Sequence, residues 1–175
     1  GGWIQCMAFD PSGSTLARAG QAGQVRLWDI SSSKVRRLPG GHNGPIQNML
    51  YCGSEGKRLV TAGEDGTIQL WDLTRNARIW SRTFPVSGPR GLAVHPEGTH
   101  LAFSGSDLSL PMLDVETGEV RNLVPDIQAP PRQVTFSPDG AFMAWSGSKD
   151  AEEDPTVHCR ARVSATFKRF GLSRN

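Results

Sequence analysis

Cysteine is scarce in this chain of 175 residues: Cys6, Cys52 and Cys159 make an odd count with no CxxC pair. That argues against a cysteine zinc site and leaves buried free thiols as the reading of Cys6 and Cys52, which fall in or beside expected strands. Long apolar runs are missing too. None approaches the ~20 residues a membrane helix needs, and no signal-peptide pattern opens the chain. No membrane span is expected, and the expected setting is cytoplasmic. No window carries apolar residues at a 3.6-residue period, which sets helical repeats aside. Net charge is only +2, too little to imply a partner. GxGxxG, P-loop and HExxH motifs do not occur, and His95, His100 and His158 are scattered. These histidines are assigned to turns or surface rather than to a metal, and no cofactor is expected.

What is plentiful is turn chemistry: 20 glycines and 12 prolines. They recur with a period. A glycine stands at Gly13, Gly56, Gly98 and Gly140, at spacings of 43, 42 and 42. An aspartate follows the third apolar run of each copy at Asp29, Asp72 and Asp114. A period of ~40–45 residues is that of a four-stranded blade unit.

The clearest copy runs from Gly41 to Asp72. Ile46 to Tyr51, Arg58 to Thr61 and Thr67 to Trp71 read as three strands, and Ala77 to Thr83 as a fourth. Ile68 and Leu70 point to one face; Thr67, Gln69 and Trp71 point to the other. Asp65-Gly66 suits a tight hairpin in which both residues need positive φ. The expectation is a four-stranded antiparallel meander.

With Gly41-His42 at its start and Trp71-Asp72 at its end, this copy resembles a repeat of the WD-repeat family of β-propellers. The resemblance implies an all-β chain of propeller blades, four four-stranded meanders in a partial or open propeller. It also implies that His42, Thr61, Asp65 and Trp71 form a buried hydrogen-bonded chain. A His-Thr-Asp catalytic triad is the competing reading, but no nucleophile elbow or oxyanion loop accompanies it. No set of nucleophile, base and metal ligands is present, so the chain is not expected to be an enzyme.

The other copies are partial. The four are placed at about 3–38, 45–83, 88–124 and 130–168, inside a propeller segment 1–170. In the first the expected strands are 4–9, 15–19, 24–30 and 34–38. It keeps Trp28-Asp29, but Arg18 and Ala22 replace Thr61 and Asp65. The third keeps Asp107 and has Phe103 and Leu113 at the Thr and Trp positions, with Pro111 weakening its third strand. The fourth keeps Asp150, then meets the acidic insertion Glu152-Glu153-Asp154-Pro155. From Val157 to Lys168 apolar and polar residues alternate, which reads as outer strands or one long edge strand. A frayed tail over 171–175 is expected, beginning as early as Phe170; a non-native C-terminus is the alternative. The chain opens almost at its first strand with no initiator Met, and is expected to have been cut from something longer.

Residues 156–175 carry 5 basic and no acidic groups, whereas residues 1–155 sum to −3. The basic tail reads as the solvated face of an edge strand, and nucleic acid is not expected as a partner. Family resemblance implies a non-catalytic platform for protein–protein contacts, with other proteins or further blades of the same protein as partners. The docking face would be built from the connections before each first strand and between second and third strands. Trp3, Asn43, Glu64, Arg90, Arg132, Trp145 and Lys149 map to it or near it. The alternative is an accessory propeller of a larger enzyme, a peptidase-type gate, or a periplasmic propeller; FSPDG-type turns occur there as well.

Overall fold

The computed structural model describes residues 2–84, 89, 91–104, 109–122, 127, 131–147, 156–161 and 168–171, with backbone alone at 121–122 and beyond 155. All regular structure in them is β. The chain divides into two compact units, Gly1–Pro89 and Arg90–Asn175.

The first unit holds two sheets. One is β1 (Ile4–Phe9), β2 (Thr15–Gly20), β3 (Arg26–Asp29) and β4 (Val35–Arg37), in that order. The other is β5 (Ile46–Cys52), β6 (Arg58–Gly63), β7 (Thr67–Asp72) and β8 (Ala77–Thr83). Every neighbouring pair is antiparallel, so each sheet is a meander. β3 is shorter than the stretch 24–30 expected of it. The sheets face each other with β1 against β5. Between them lies a core of Ala17, Ala19, Val25, Leu27, Leu38, Ile46, Met49, Leu59, Trp71 and Leu73. Small residues on the first sheet meet large ones on the second, as close packing requires. Burying a side chain such as Leu59 contributes about 1.5–3 kcal/mol.

The second unit repeats the plan. β9 (Leu92–Val94), β10 (His100–Phe103), β11 (Pro111–Asp114) and β12 (Val120–Asn122) form one sheet. β13 (Pro131–Phe136), β14 (Phe142–Gly147), β15 (Thr156–Ala161) and β16 (Lys168–Gly171) form the other. Their core is Ala93, Ala102, Leu110, Ile127, Val134, Met143 and Trp145. Pro111 takes the first place in β11, where a missing N–H is tolerated. The alternating tail supplies two outer strands, not one long edge strand. Phe170 and Gly171 belong to β16 and are not frayed.

The periodic residues explain the turns. Gly13, Gly56, Gly98 and Gly140 all have φ between 64° and 74°, a left-handed backbone that glycine adopts without steric cost. The periodic aspartates cap the turn after the third strand. Asp29 Oδ1 accepts Ser32 N–H at 2.8 Å, Asp72 Oδ1 accepts Arg75 N–H at 2.9 Å, and Asp114 Oδ1 accepts Thr117 N–H at 2.8 Å. Those bonds hold all three carboxyls below the usual carboxylate range, Asp29 at about 2.

One expectation about the hairpin at Asp65-Gly66 fails. Among non-glycine residues only Ser33 and Asn76 have positive φ, so Asp65 does not; Gly66 does, at 73°. Gly66 N–H bonds Gly63 C=O at 3.2 Å. The loop is therefore an ordinary turn through Glu64-Asp65 followed by one left-handed glycine.

Candidate functional site

Strand alternation carries Thr61 on β6 and Trp71 on β7 to the face of the second sheet that meets the first. His42 enters from the segment before β5, and Asp65 from the β6–β7 turn. Trp71 Nε1 donates to Thr61 Oγ1 at 3.0 Å, and His42 Nε2 lies 2.8 Å from the same oxygen. His42 Nδ1 lies 3.0 Å from Asp65 Oδ1. Asn43 N–H and Thr67 Oγ1 also donate to the Asp65 carboxylate, at 2.8 Å each.

The direction of these bonds follows from the chemistry. Burial opposes the charge on Asp65, but the donors from His42, Asn43 and Thr67 outweigh it and lower its pKa. The ionised carboxylate only accepts, so His42 Nδ1 carries the ring proton. Burial also lowers the His42 pKa, outweighing the pull of Asp65, and favours the neutral ring. Nε2 then accepts the Thr61 hydroxyl proton, and Thr61 accepts from Trp71. The chain of donors runs Trp71 to Thr61 to His42 to Asp65, and every member is satisfied. Thr61 is fully buried, so its hydroxyl is out of reach of any substrate. The arrangement braces the sheet and fixes the turn.

The loop end of the first unit gathers three of the expected docking residues. Trp3, just before β1, is 83% exposed, and its carbonyl accepts Gln21 N–H at 3.0 Å from the β2–β3 turn. Asn43 is exposed and tethered through its N–H to Asp65. Glu64 is exposed in the β6–β7 turn, where Gln47 Nε2 donates to its carboxylate at 2.9 Å. The loops of the two sheets are joined there by His42 N–H to Gly23 C=O, 2.9 Å.

In the second unit Arg132 is exposed on β13. Trp145 is different: it is 6% exposed and packs into the core of that unit. It pairs with Val134 as Thr61 pairs with Met49, so it occupies the network-threonine position of its sheet and faces inward. It is not a surface anchor. Arg90 and Lys149 lie outside the described residues, as do Asp107 and Asp150.

Two residues at this end escaped the sequence reading. β1, β5 and β13 each carry a bulge near their start, and the extra residues are Gln5, Gln47 and Arg132. A bulge re-aims the chain at the rim of a sheet. Each stands four residues before the aromatic that leads into the turn, Phe9, Tyr51 or Phe136, and that spacing could have revealed them.

His95 is also buried, not a surface residue. Its Nε2 lies 3.2 Å from Gly140 C=O, its ring packs edge-on against Phe136, and Nδ1 accepts Glu97 N–H at 3.3 Å. It fastens the β9–β10 turn to the β13–β14 turn. The described cysteines are free, and burial pushes Cys6 up to about 11 and Cys52 up to about 12. Both are packing residues, not reactive thiols.

Four-stranded antiparallel meanders, stacked in pairs through their first strands and capped by periodic Gly and Asp turns, define an all-β chain of propeller-type blades. Residues 1–29 and 32–72 match the family model described as WD domain, G-beta repeat, so this part of the chain belongs to the WD-repeat family. The chain is 32% identical over 156 residues to the nuclear distribution protein PAC1 of Coccidioides posadasii (strain C735), covering 83% of this chain and 33% of that protein. It is 26% identical over 122 residues to the periodic tryptophan protein 2 homolog of Schizosaccharomyces pombe (strain 972 / ATCC 24843), covering 69% and 14%. The Dictyostelium discoideum protein of the same name is 30% identical over 153 residues, covering 81% and 16%. The chain thus spans from about a seventh to a third of the length of these relatives.

Proposed function

We propose that this chain is a non-catalytic scaffold that docks other proteins on its loop-bearing end, in a cytoplasmic setting. The observation that carries the proposal is the fixing of exposed Trp3, Asn43 and Glu64 by backbone hydrogen bonds to rigid turns. An anchored aromatic supplies contact area at low entropic cost, and charges on rigid turns orient a partner. The sealed hydrogen-bonded chain supports the reading from the other side, since its polar groups are spent on holding the turn. WD-repeat chains are in general interaction platforms, and the match over residues 1–72 supports that role here.

The test is a set of alanine substitutions at Trp3, Asn43, Glu64 and Arg132. Partners recovered by proximity labelling with the unaltered chain are re-measured by calorimetry. The expected result is binding weakened tenfold or more with an unchanged melting temperature. Unfolding of the variants, or unchanged affinity, overturns the assignment.

A further inference from the structure

The first sheet has one face against the second sheet and one face open. On the open face the register lines up two rows. Phe9 lies opposite Leu16, Leu16 opposite Trp28 and Trp28 opposite Val35, an apolar row across all four strands. Beside it, Met7 lies opposite Arg18, Arg18 opposite Arg26 and Arg26 opposite Arg37. Like charges set directly opposite each other across strands destabilise a bare sheet.

The corresponding positions elsewhere are different. Arg18 holds the place of Thr61, Phe103 and Trp145, all three of them buried, while Arg18 is half-exposed. In the second sheet the same row is the neutral series Met49, Thr61, Gln69 and Ser81. Nothing within the first sheet neutralises the arginines. Its acidic residues are Asp10 and Asp29, and both carboxylates are taken up by their own turns, Asp10 by Ser12, Ser14 and Thr15 and Asp29 by Ser31 and Ser32. Arg36, on the opposite face, is bonded to Asn76 and to Leu73 C=O. No hydrogen bond or ion pair joins Arg18, Arg26 or Arg37 to another described residue.

We propose that this face docks an acidic polypeptide. Its aliphatic side chains lie on the Phe9–Leu16–Trp28–Val35 row, and its carboxylates pair with Arg18, Arg26 and Arg37. Charge selects this occupant. A second copy presenting the same face would set three arginines against three more. A nucleic acid would answer the arginines but leave Leu16, Val35 and Met7 against phosphate and sugar. The surface is distinct from the loop end, and the proposal stands apart from the docking role assigned there.

The test uses the full chain and a fluorescent 12-residue peptide alternating glutamate with leucine and valine. Controls are the same peptide with lysine for glutamate, and a 20-nucleotide single strand of thymidine. The acidic peptide is expected to bind at least tenfold tighter than the lysine peptide, and more weakly as salt rises. R18E/R26E should reverse the preference, and R18Q/R37Q should weaken acidic-peptide binding tenfold should the charge reversal fail to fold. Absence of acidic-peptide binding, equal binding of both peptides, or displacement by the thymidine strand overturns the proposal. So does a dimer in sedimentation that R18Q/R37Q converts to monomer, because a second copy would then own the face.

Discussion

Trp28 and Trp71 occupy the same register position in successive sheets, each followed by the turn-capping aspartate, yet Trp71 is fully buried and Trp28 is 39% exposed. The difference comes from what lies across from each. Trp71 faces the alanines and Leu27 of the first sheet, and its N–H has Thr61. Trp28 looks out over an open face.

Trp71→Ala is accordingly expected to cost about 3–5 kcal/mol, the range for emptying a packed aromatic site. Trp28→Ala should cost about 1 kcal/mol or less, as substitutions near the surface do. Urea denaturation of the two variants checks this. Equal losses would mean that Trp28 is packed in solution.

Thr61→Val removes the one hydroxyl shared by Trp71 and His42 and strands both ring nitrogens in the core. A loss of about 1–3 kcal/mol is expected for the buried groups left unpaired. Adding Trp71→Phe should then cost less than it does alone, because its partner is already gone. A double-mutant cycle in urea gives the coupling; additive losses would show that the hydroxyl is not shared.

The same bonds set a pH dependence. His42 has its pKa lowered in the fold, so below about 6.5, the ordinary histidine value, the unfolded chain takes up a proton first. Stability is full above that value and falls as pH drops through it. Asp65 is lowered as well, so its contribution holds above the ordinary aspartate range and is lost further into acid. Unfolding free energy measured from pH 8 to pH 3 should fall in these two stages. His42→Gln should remove the first stage and leave the second.

Gly63 sits beneath the histidine. A Cβ there would lie 2.3 Å from His42 Nδ1 and 2.7 Å from Asp65 Oδ1. Gly63→Ala is expected to cost about 1–3 kcal/mol or more, as overpacking does. At Gly53, φ is 76° and nothing lies within 4 Å, so Gly53→Ala meets only backbone strain of about 1–2 kcal/mol. Combining each with His42→Ala separates them: the cost at Gly63 should shrink and that at Gly53 should not.

The sequence exposed what is decided locally. Alternation from Thr67 to Trp71, the left-handed glycines and the Asp caps are each set within a few residues, so strands and turns could be placed from them. Thr61, His42, Asp65 and Trp71 could be joined on paper because the family resemblance supplied the contacts. What depends on a neighbouring sheet could not be read. Trp145 looked like an available anchor until register put it in the threonine position. His95 looked like a turn residue on the surface until Gly140, 45 residues on, was found against it. Asp65 was assigned a left-handed backbone from a two-residue rule, whereas the loop spends that conformation on Gly66 alone.

Gln5, Gln47 and Arg132 each add one residue to a first strand just where it leaves the sheet. Removing one of them would turn the preceding segment over, so that Trp3 or Asn43 pointed to the opposite side, while every pairing further along stayed in place. The rim can therefore be re-aimed by single insertions and deletions without disturbing the core, and diversity in what such chains grasp has a cheap source.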